Sequence, residues 1–410
     1  MQRSFLHAII ILVILAPTTF SQDIFDLTTR LDDPRVRFLF HGFRNFVFNF
    51  IGKTGQSTKG KFLQKKFPDD APFPCDISVG KSKNRPHSIH KLRPGDISVI
   101  GALGDSLTCS TGAMATNLME LSMENRGVAW SIGGQWNWKN ATTLPNILKV
   151  FNPSLLGYSL GDSFPFHKES QFNLAEIGAV SSDMPYMAKA LVHRIKKDKR
   201  VNFKYDWKMV TIAIGGNDIC SFICLMENPE SLPEKHRIAL TKTLRYLKRY
   251  LPRTFVNVVS VPFVETVMLL KGKPRNCKFI HRGECSCWVG TVSNATKESR
   301  ERWQKIQRHF IRVEEEVAKL EEFRGLDEFA VMYQPWSNNV SLNVDGKRDL
   351  TLLSIDCFHL SQKGNAWAAT ALWNNLLEPP NQKSFNWVNP LRKFNCPTRQ
   401  HPFIMTYDNS

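Results

Sequence analysis

A serine, a histidine and an aspartate stand in this chain at spacings that suit acyl transfer. Asp356 and His359 lie three apart in Asp-Cys-Phe-His (356–359), and Ser106 lies far upstream in Gly104-Asp105-Ser106-Leu107. A serine hydroxyl is a poor nucleophile until a base takes its proton, and an imidazole is the better base when a carboxylate fixes its tautomer. An Asp-x-x-His turn carries base and orienter on one short loop. Ser106 is the candidate nucleophile, His359 the candidate general base and then acid, and Asp356 its orienter. Residues 104–108 read Gly-Asp-Ser-Leu-Thr, not the Gly-x-Ser-x-Gly of a nucleophile elbow, which disfavours an ordinary α/β-hydrolase. Acyl transfer also needs donors aimed at a developing oxyanion. The candidates are the backbone N–H of Ser106, the side chain of Asn217 in Gly215-Gly216-Asn217-Asp218, and the backbone N–H of Gly178 in the stretch 173–179. Taken singly, Asn217 reads as a turn former and Gly178 as a tight loop. Beside Ser106 and His359 both read as functional.

These motifs need a scaffold that brings them together. From residue 90 onward, short apolar runs alternate with helical stretches. Strands are expected at Ile97–Leu103, Gly127–Ile132, Met209–Ile214, Phe255–Val261 and Phe329–Tyr333. Helices are expected at Ala113–Asn125, Met184–Lys196, Arg237–Tyr250, Lys297–Phe323 and Gln362–Leu377. In the long one, Trp303, Ile306, Phe310, Val313, Val317 and Leu320 form a stripe that should face the sheet. Strand–helix alternation predicts an α/β fold with a parallel sheet covered on both faces. Such sheets bind ligands beyond the carboxyl ends of their strands. The serine motif follows the first strand, the Asn217 turn the third and the Asp356–His359 loop the fifth.

The chain has 410 residues, 42% of them hydrophobic and 22% charged, enough to bury a sizeable core. Residues 1–21 are set apart from it. Arg3 precedes an apolar run, Ala8–Ala16, too short to span a bilayer, and small residues follow, so this reads as a cleaved signal peptide, with a membrane anchor as the alternative. No other segment is apolar enough to span, and the C-terminus lacks the hydrophobic tail of a lipid-anchor signal. A secreted chain should oxidise most of its nine cysteines, and the odd number leaves at least one free or paired with another chain. Cys220/Cys224 and Cys285/Cys287 could suggest zinc, but no second ligand pair has fitting spacing, so disulfides are the better reading. Sequons at Asn140, Asn294 and Asn339 fit the same compartment.

Formal charge is +17, from 54 Lys and Arg against 37 Asp and Glu, yet no nucleic-acid-binding motif is present. Residues 22–74 differ from the rest. Between Arg35 and Lys66 stand eight basic residues and no acid, crowded with phenylalanines. Leu39, Phe43, Phe46 and Phe50 fall at helical spacing, which suits a helix lying on an anionic membrane surface. The plainer alternatives are a helix docked on the main domain, or a pro-segment. Residues 52–74 read as a linker.

Together Ser106, Gly178, Asn217 and His359, with Asp356 three before the histidine, resemble the SGNH, or GDSL, hydrolase family. Within it the chain is similar to animal phospholipase B, through His-Lys-Leu-Arg-Pro-Gly-Asp-Ile (90–97), Ala-Leu-Gly-Asp-Ser-Leu-Thr (102–108), Trp-Ser-Ile-Gly-Gly (130–134), Asp-Trp-Lys-Met-Val-Thr (206–211), Ile-Gly-Gly-Asn-Asp-Ile-Cys (214–220), Asp-Cys-Phe-His-Leu-Ser (356–361) and Ala-Leu-Trp-Asn-Asn-Leu-Leu-Glu-Pro (371–379). The likeness covers roughly 75–410, the expected catalytic domain. It implies a three-layer α/β/α, flavodoxin-like fold with about five parallel strands. It also implies no metal or other cofactor, and hydrolysis of acyl esters of phospholipids and lysophospholipids. After the serine the chain reads Thr-Cys-Ser-Thr-Gly-Ala where the family tends to Thr-Ala-Gly-x-Gly-Ala, which marks Cys109 as the odd cysteine. An acetyl or short-chain carboxylesterase acting on carbohydrate or small esters, and a secreted binding protein without turnover, are the alternatives.

Overall fold

The computed structural model describes residues 33–52 and 60–409. The expected signal peptide 1–21 lies outside the described residues, as do 22–32 and 53–59 of the N-terminal segment. The chain opens with helix Pro34–Ile51 (α1). Strand Ile97–Gly104 (β1) runs into a one-turn helix, Ser106–Cys109 (α2). Leu144–Phe151 (α3) and Met184–Lys197 (α4) precede Trp207–Ala213 (β2). Leu232–Tyr250 (α5) leads to Thr254–Val259 (β3). Arg275–Glu284 (α6) and Lys297–Ala318 (α7) come before Phe329–Gln334 (β4), and Gln362–Leu377 (α8) follows.

The four strands pair in parallel in the order β1-β2-β3-β4. Gly104 stands opposite Ala213 and Val259 opposite Gln334, so the carboxyl ends share one rim. Successive side chains point to opposite faces, and the two faces bury two separate cores. Ile100, Ala102, Met209, Phe255, Ala330 and Met332 pack with α3 and α8. Val99, Leu103, Val210, Ile212, Val256, Val258 and Val331 pack with α4, α5 and α7. This is a three-layer α/β/α sandwich, as expected. Each fully buried Leu, Val or Ile adds roughly 1.5–3 kcal/mol, and near-continuous apolar strands are what burial on both faces requires.

The fifth strand is a correction. Gly127–Ile132 does not form it; Arg126–Val128 is a 3-10 turn and the residues after it are turns. The outer edge of β1 is covered by a broken strand instead. Leu156 O accepts from Ile100 N, Phe172 O accepts from Ala102 N, and Leu174 N donates back to Ala102 O, all within 3.0 Å. Nor is Ala113–Asn125 a helix. Asn117 Oδ1 takes the N–H groups of Met119 and Glu120, and Glu120 takes both the N–H and the hydroxyl of Thr116. Such local side-chain bonds compete with helical ones. The stripe on α7 divides: Val313 and Val317 face the sheet, while Trp303, Ile306 and Phe310 join a third core beyond the strand ends.

Eight cysteines pair as Cys75–Cys396, Cys220–Cys285, Cys224–Cys287 and Cys277–Cys357. Cys109 is the free one, and it is buried. The residues that raised a zinc reading bridge each other two by two.

Candidate active site

Ser106 stands at the first turn beyond β1. The chain turns sharply there. A side chain on Gly104 would meet Ala213 O at 2.6 Å, so only glycine fits. Asp105 caps the turn, its Oδ1 accepting from Leu107 N at 2.9 Å. Burial pushes the Asp105 carboxyl up to about 6, although the charge of His359 and backbone N–H groups pull the other way.

Asp356 and His359 sit on the loop between β4 and α8. His359 Nδ1 lies 2.7 Å from Asp356 Oδ2, while Oδ1 accepts from the backbone N–H of Phe358 at 2.9 Å and of His359 at 3.0 Å. Asp356 is fully buried and His359 nearly so. A carboxylate so held binds the Nδ1–H tautomer and leaves Nε2 to take a proton. The loop is fixed to the serine turn from one side: Ser354 Oγ donates to Gly112 O at 2.5 Å and Gln362 N to Ala113 O at 3.0 Å. On the other side Cys277–Cys357 ties it to α6, where His281 Nε2 donates to Asp356 O at 2.9 Å and Asn276 to Ile355 O at 3.1 Å. Burial and Lys273 push His281 down to about 4, so it stays neutral.

Asn217 follows β2. Gly215 adopts φ +130°, and a side chain there would strike Phe310 at 2.6 Å. One Nδ2–H of Asn217 donates to Ala179 O at 2.8 Å, which ties this turn to the Gly178 loop. The amide has a second N–H. Gly178, at φ +74°, lies exposed just past the broken strand beside β1. Among the described residues, neither Ser106 N–H nor Gly178 N–H donates to another backbone group. The five residues named from sequence thus stand on loops leaving one rim of the sheet. Two backbone donors and one amide donor are left over there.

Sequence reasoning missed the support behind them. Glu176, two residues before Gly178, is buried with Glu124 around two arginines. Arg126 Nε meets Glu124 at 2.8 Å, and its other nitrogens donate to Asn173 O at 2.9 Å and Ala175 O at 2.6 Å. Arg44 of α1 bonds both Glu124 and Glu176, and His41 lies 2.9 Å from Glu176. Burial opposes the Glu176 charge, but Arg44 and His41 hold its carboxyl below the usual carboxylate range. Helix α1 is therefore docked by a polar face, aided by Phe48 against Phe164 and Arg37 over Tyr186. Phe38, Leu39, Phe46 and Phe50 are left 60% or more exposed. No signal in the local sequence pairs Arg44 with acids 80 and 132 residues away. Glu284, at the end of α6, is another residue missed: its Oε1 lies 3.6 Å from His359 Nδ1.

The family model for GDSL-like lipase/acylhydrolase matches residues 100–372. The human "Phospholipase B1, membrane-associated" is 39% identical over 335 residues, 80% of this chain and 22% of that protein. The rat protein of the same name is 36% identical over 343 residues, 82% of this chain and 23% of its own length. This chain thus spans about a fifth of the relatives it matches. A crystal structure of phospholipase A1 from Streptomyces albidoflavus is 14% identical, over 68% of this chain and 98% of that one, with a TM-score of 0.33. With a family model that matches from within β1 into α8, the chain belongs to the GDSL-like lipase/acylhydrolase family of carboxylic ester hydrolases.

Proposed function

We propose that this chain is a secreted serine acyl hydrolase that cleaves fatty acyl esters of phospholipids and lysophospholipids. The observation that carries it is the 2.7 Å bond between His359 Nδ1 and Asp356 Oδ2, on a loop hydrogen-bonded to the turn that presents Ser106. Ser106 Oγ attacks the ester carbonyl as His359 Nε2 takes its proton. The oxyanion is met by the N–H groups of Ser106 and Gly178 and by the Asn217 amide. The leaving alcohol of the lipid takes the proton back from His359. Water, activated by the same base, then releases the fatty acid and restores Ser106.

The lipid reading has two supports: the similarity to membrane-associated phospholipase B1, and the face of α1. Leu39, Phe46 and Phe50 point away from the domain, in a stretch whose residues 35–66 include eight basic residues and no acid. Aromatic and aliphatic side chains with basic neighbours suit an anionic lipid surface. Four disulfides support an oxidising compartment. Among the described residues no helix is long and apolar enough to cross a membrane. The sequon residues Asn294 and Asn339 are exposed and suit glycan attachment, whereas Asn140 is half-buried with its Oδ1 enclosed.

The test is acyl release from phospholipid vesicles, lysophospholipid micelles and soluble acetyl esters, by the wild type and Ser106→Ala. Release from both lipids, lost in the variant, is expected. Replacing Leu39, Phe46 and Phe50 by serine should slow turnover on anionic vesicles and leave soluble esters untouched. Turnover of soluble acetyl esters alone would make the chain a short-chain esterase. Binding without turnover by the folded protein would make it a binding protein.

A further inference from the structure

The candidate triad holds a second carboxyl. Glu284 ends α6, and its Oε1 lies 3.6 Å from the same His359 Nδ1 that Asp356 approaches at 2.7 Å. Oxygens of both acids and the imidazole nitrogen all fall within 4.8 Å of one another. Two disulfides fix the arrangement. Cys277–Cys357 ties α6 to the histidine loop, and Cys220–Cys285 anchors the residue after Glu284 beneath the Asn217 turn.

Two carboxyls this close to each other do not both ionise near neutral pH. The proton belongs on Glu284. Asp356 has two backbone N–H donors on Oδ1 and the imidazole on Oδ2. Glu284 stands at a helix C-terminus, where the backbone dipole disfavours an anion. No donor among the described residues reaches its Oε2. As a carboxylate that oxygen would be buried and unsatisfied; as a carboxylic acid the group becomes a donor. Burial first, then the charge of Asp356 and a hydrogen bond with it, push the Glu284 carboxyl well above the usual range. Near neutral pH the contact with His359 is therefore no ion pair.

We propose that Glu284 is a positioning residue of the triad: a neutral acid that bonds Asp356 and sets how strongly that carboxylate holds the imidazole. The proposal rests on the triad reading above. Donation from Glu284 draws charge from Asp356 and fixes its rotamer against Nδ1. When Glu284 loses its proton, a second negative charge appears beside the imidazole and favours the protonated form of His359. Loss of the Glu284 proton should therefore add a step to the pH dependence of a reaction that uses His359. The other titratable groups nearby are His281, bonded to Lys273 on its far nitrogen, and Asp105, which feels the His359 charge from the β1 side.

The test uses a fluorophosphonate that reacts with the nucleophilic serine, so no lipid preference enters. Its second-order rate is followed from pH 5 to 10 for the wild type, Ser106→Ala, Glu284→Gln, Glu284→Ala and Asp105→Asn, with thermal melting as a check on folding. Glutamine keeps a neutral donor of the same shape. It should hold the rate within about threefold of wild type at pH 7, and its profile should narrow to a single proton step. Alanine should lower the rate at pH 7 about tenfold, a part of the roughly 10²–10⁴-fold that a general base contributes. Asp105→Asn should keep the broad profile. A glutamine variant as slow as alanine, or one with the wild-type broad profile, would overturn the proposal. So would an alanine variant with wild-type rate. If Ser106→Ala still reacts at the wild-type rate, the triad reading itself has failed, and that outcome is distinct from the others.

Discussion

Asn217 separates transition-state work from plain binding. Its side chain spends one N–H on Ala179 O, 2.8 Å away, and the proposed mechanism gives the other to the oxyanion. Loss of one oxyanion donor typically costs about 10²–10³-fold in kcat. Asn217→Ala should show that loss in steady-state kinetics on a soluble ester, with KM little changed. A raised KM at wild-type kcat would make Asn217 a binding or turn residue. Ser106, Gly178, Asn217, Asp356 and His359 could be named as candidates from the sequence because each stands in a short local motif, and the structure sets them on loops at one rim of the sheet. Glu284 could not be named. In Arg-Gly-Glu-Cys it looks like any solvated acid, and only the Cys277–Cys357 bridge makes it a neighbour of His359.

Among the elements, α1 takes the docked position that the sequence offered as the plainer alternative to a membrane helix. It is docked on the domain, and it also keeps an apolar stripe outward. The docking rests on Arg44 between Glu124 and Glu176, all three nearly buried. Removing one partner of a buried ionic group typically costs about 3–5 kcal/mol, because the remaining charge is left unpaired. Arg44→Ala should lower urea-unfolding stability by about that much. Adding Glu176→Gln, which leaves Glu124 to pair with the buried Arg126, should recover part of it. Unchanged stability would mean that α1 is not part of the folded domain. The strands Ile97–Gly104, Trp207–Ala213, Thr254–Val259 and Phe329–Gln334 were legible within a few residues, since burial on both faces gives unbroken apolar runs. The segment 113–133 was not. Its apolar residues pack around side-chain-to-backbone bonds and the buried Arg126, and no periodicity records those.

The whole molecule keeps acids buried behind its active rim. Asp218 accepts from Ser181 N at 2.9 Å, and Ser181 Oγ meets His236 Nδ1 at 2.8 Å. Burial pushes the Asp218 carboxyl up to about 7, and pushes His236 down to about 3. An acid raised on folding binds its proton more tightly in the native state, so its contribution to stability falls as pH rises from the unfolded carboxylate range toward 7 and is level above that. Asp218→Asn should therefore lose less melting temperature than the wild type between pH 4 and 7. Equal pH slopes would mean that Asp218 is charged throughout. The sequence placed Asp218 on a glycine turn and stopped the expected helix at Arg237, one residue short of His236, and it could not report the burial of His236, which stacks on Phe310 of α7. The central claim is that Ser106 is the nucleophile of an acyl hydrolase, and a covalent label tests it most directly. After reaction of active protein with a fluorophosphonate and peptide mass spectrometry, a single adduct on the peptide bearing Ser106 is predicted. It should be absent in Ser106→Ala and far slower to form in His359→Ala. An adduct on another serine, or full acyl hydrolase activity after Ser106 is replaced, would contradict the account.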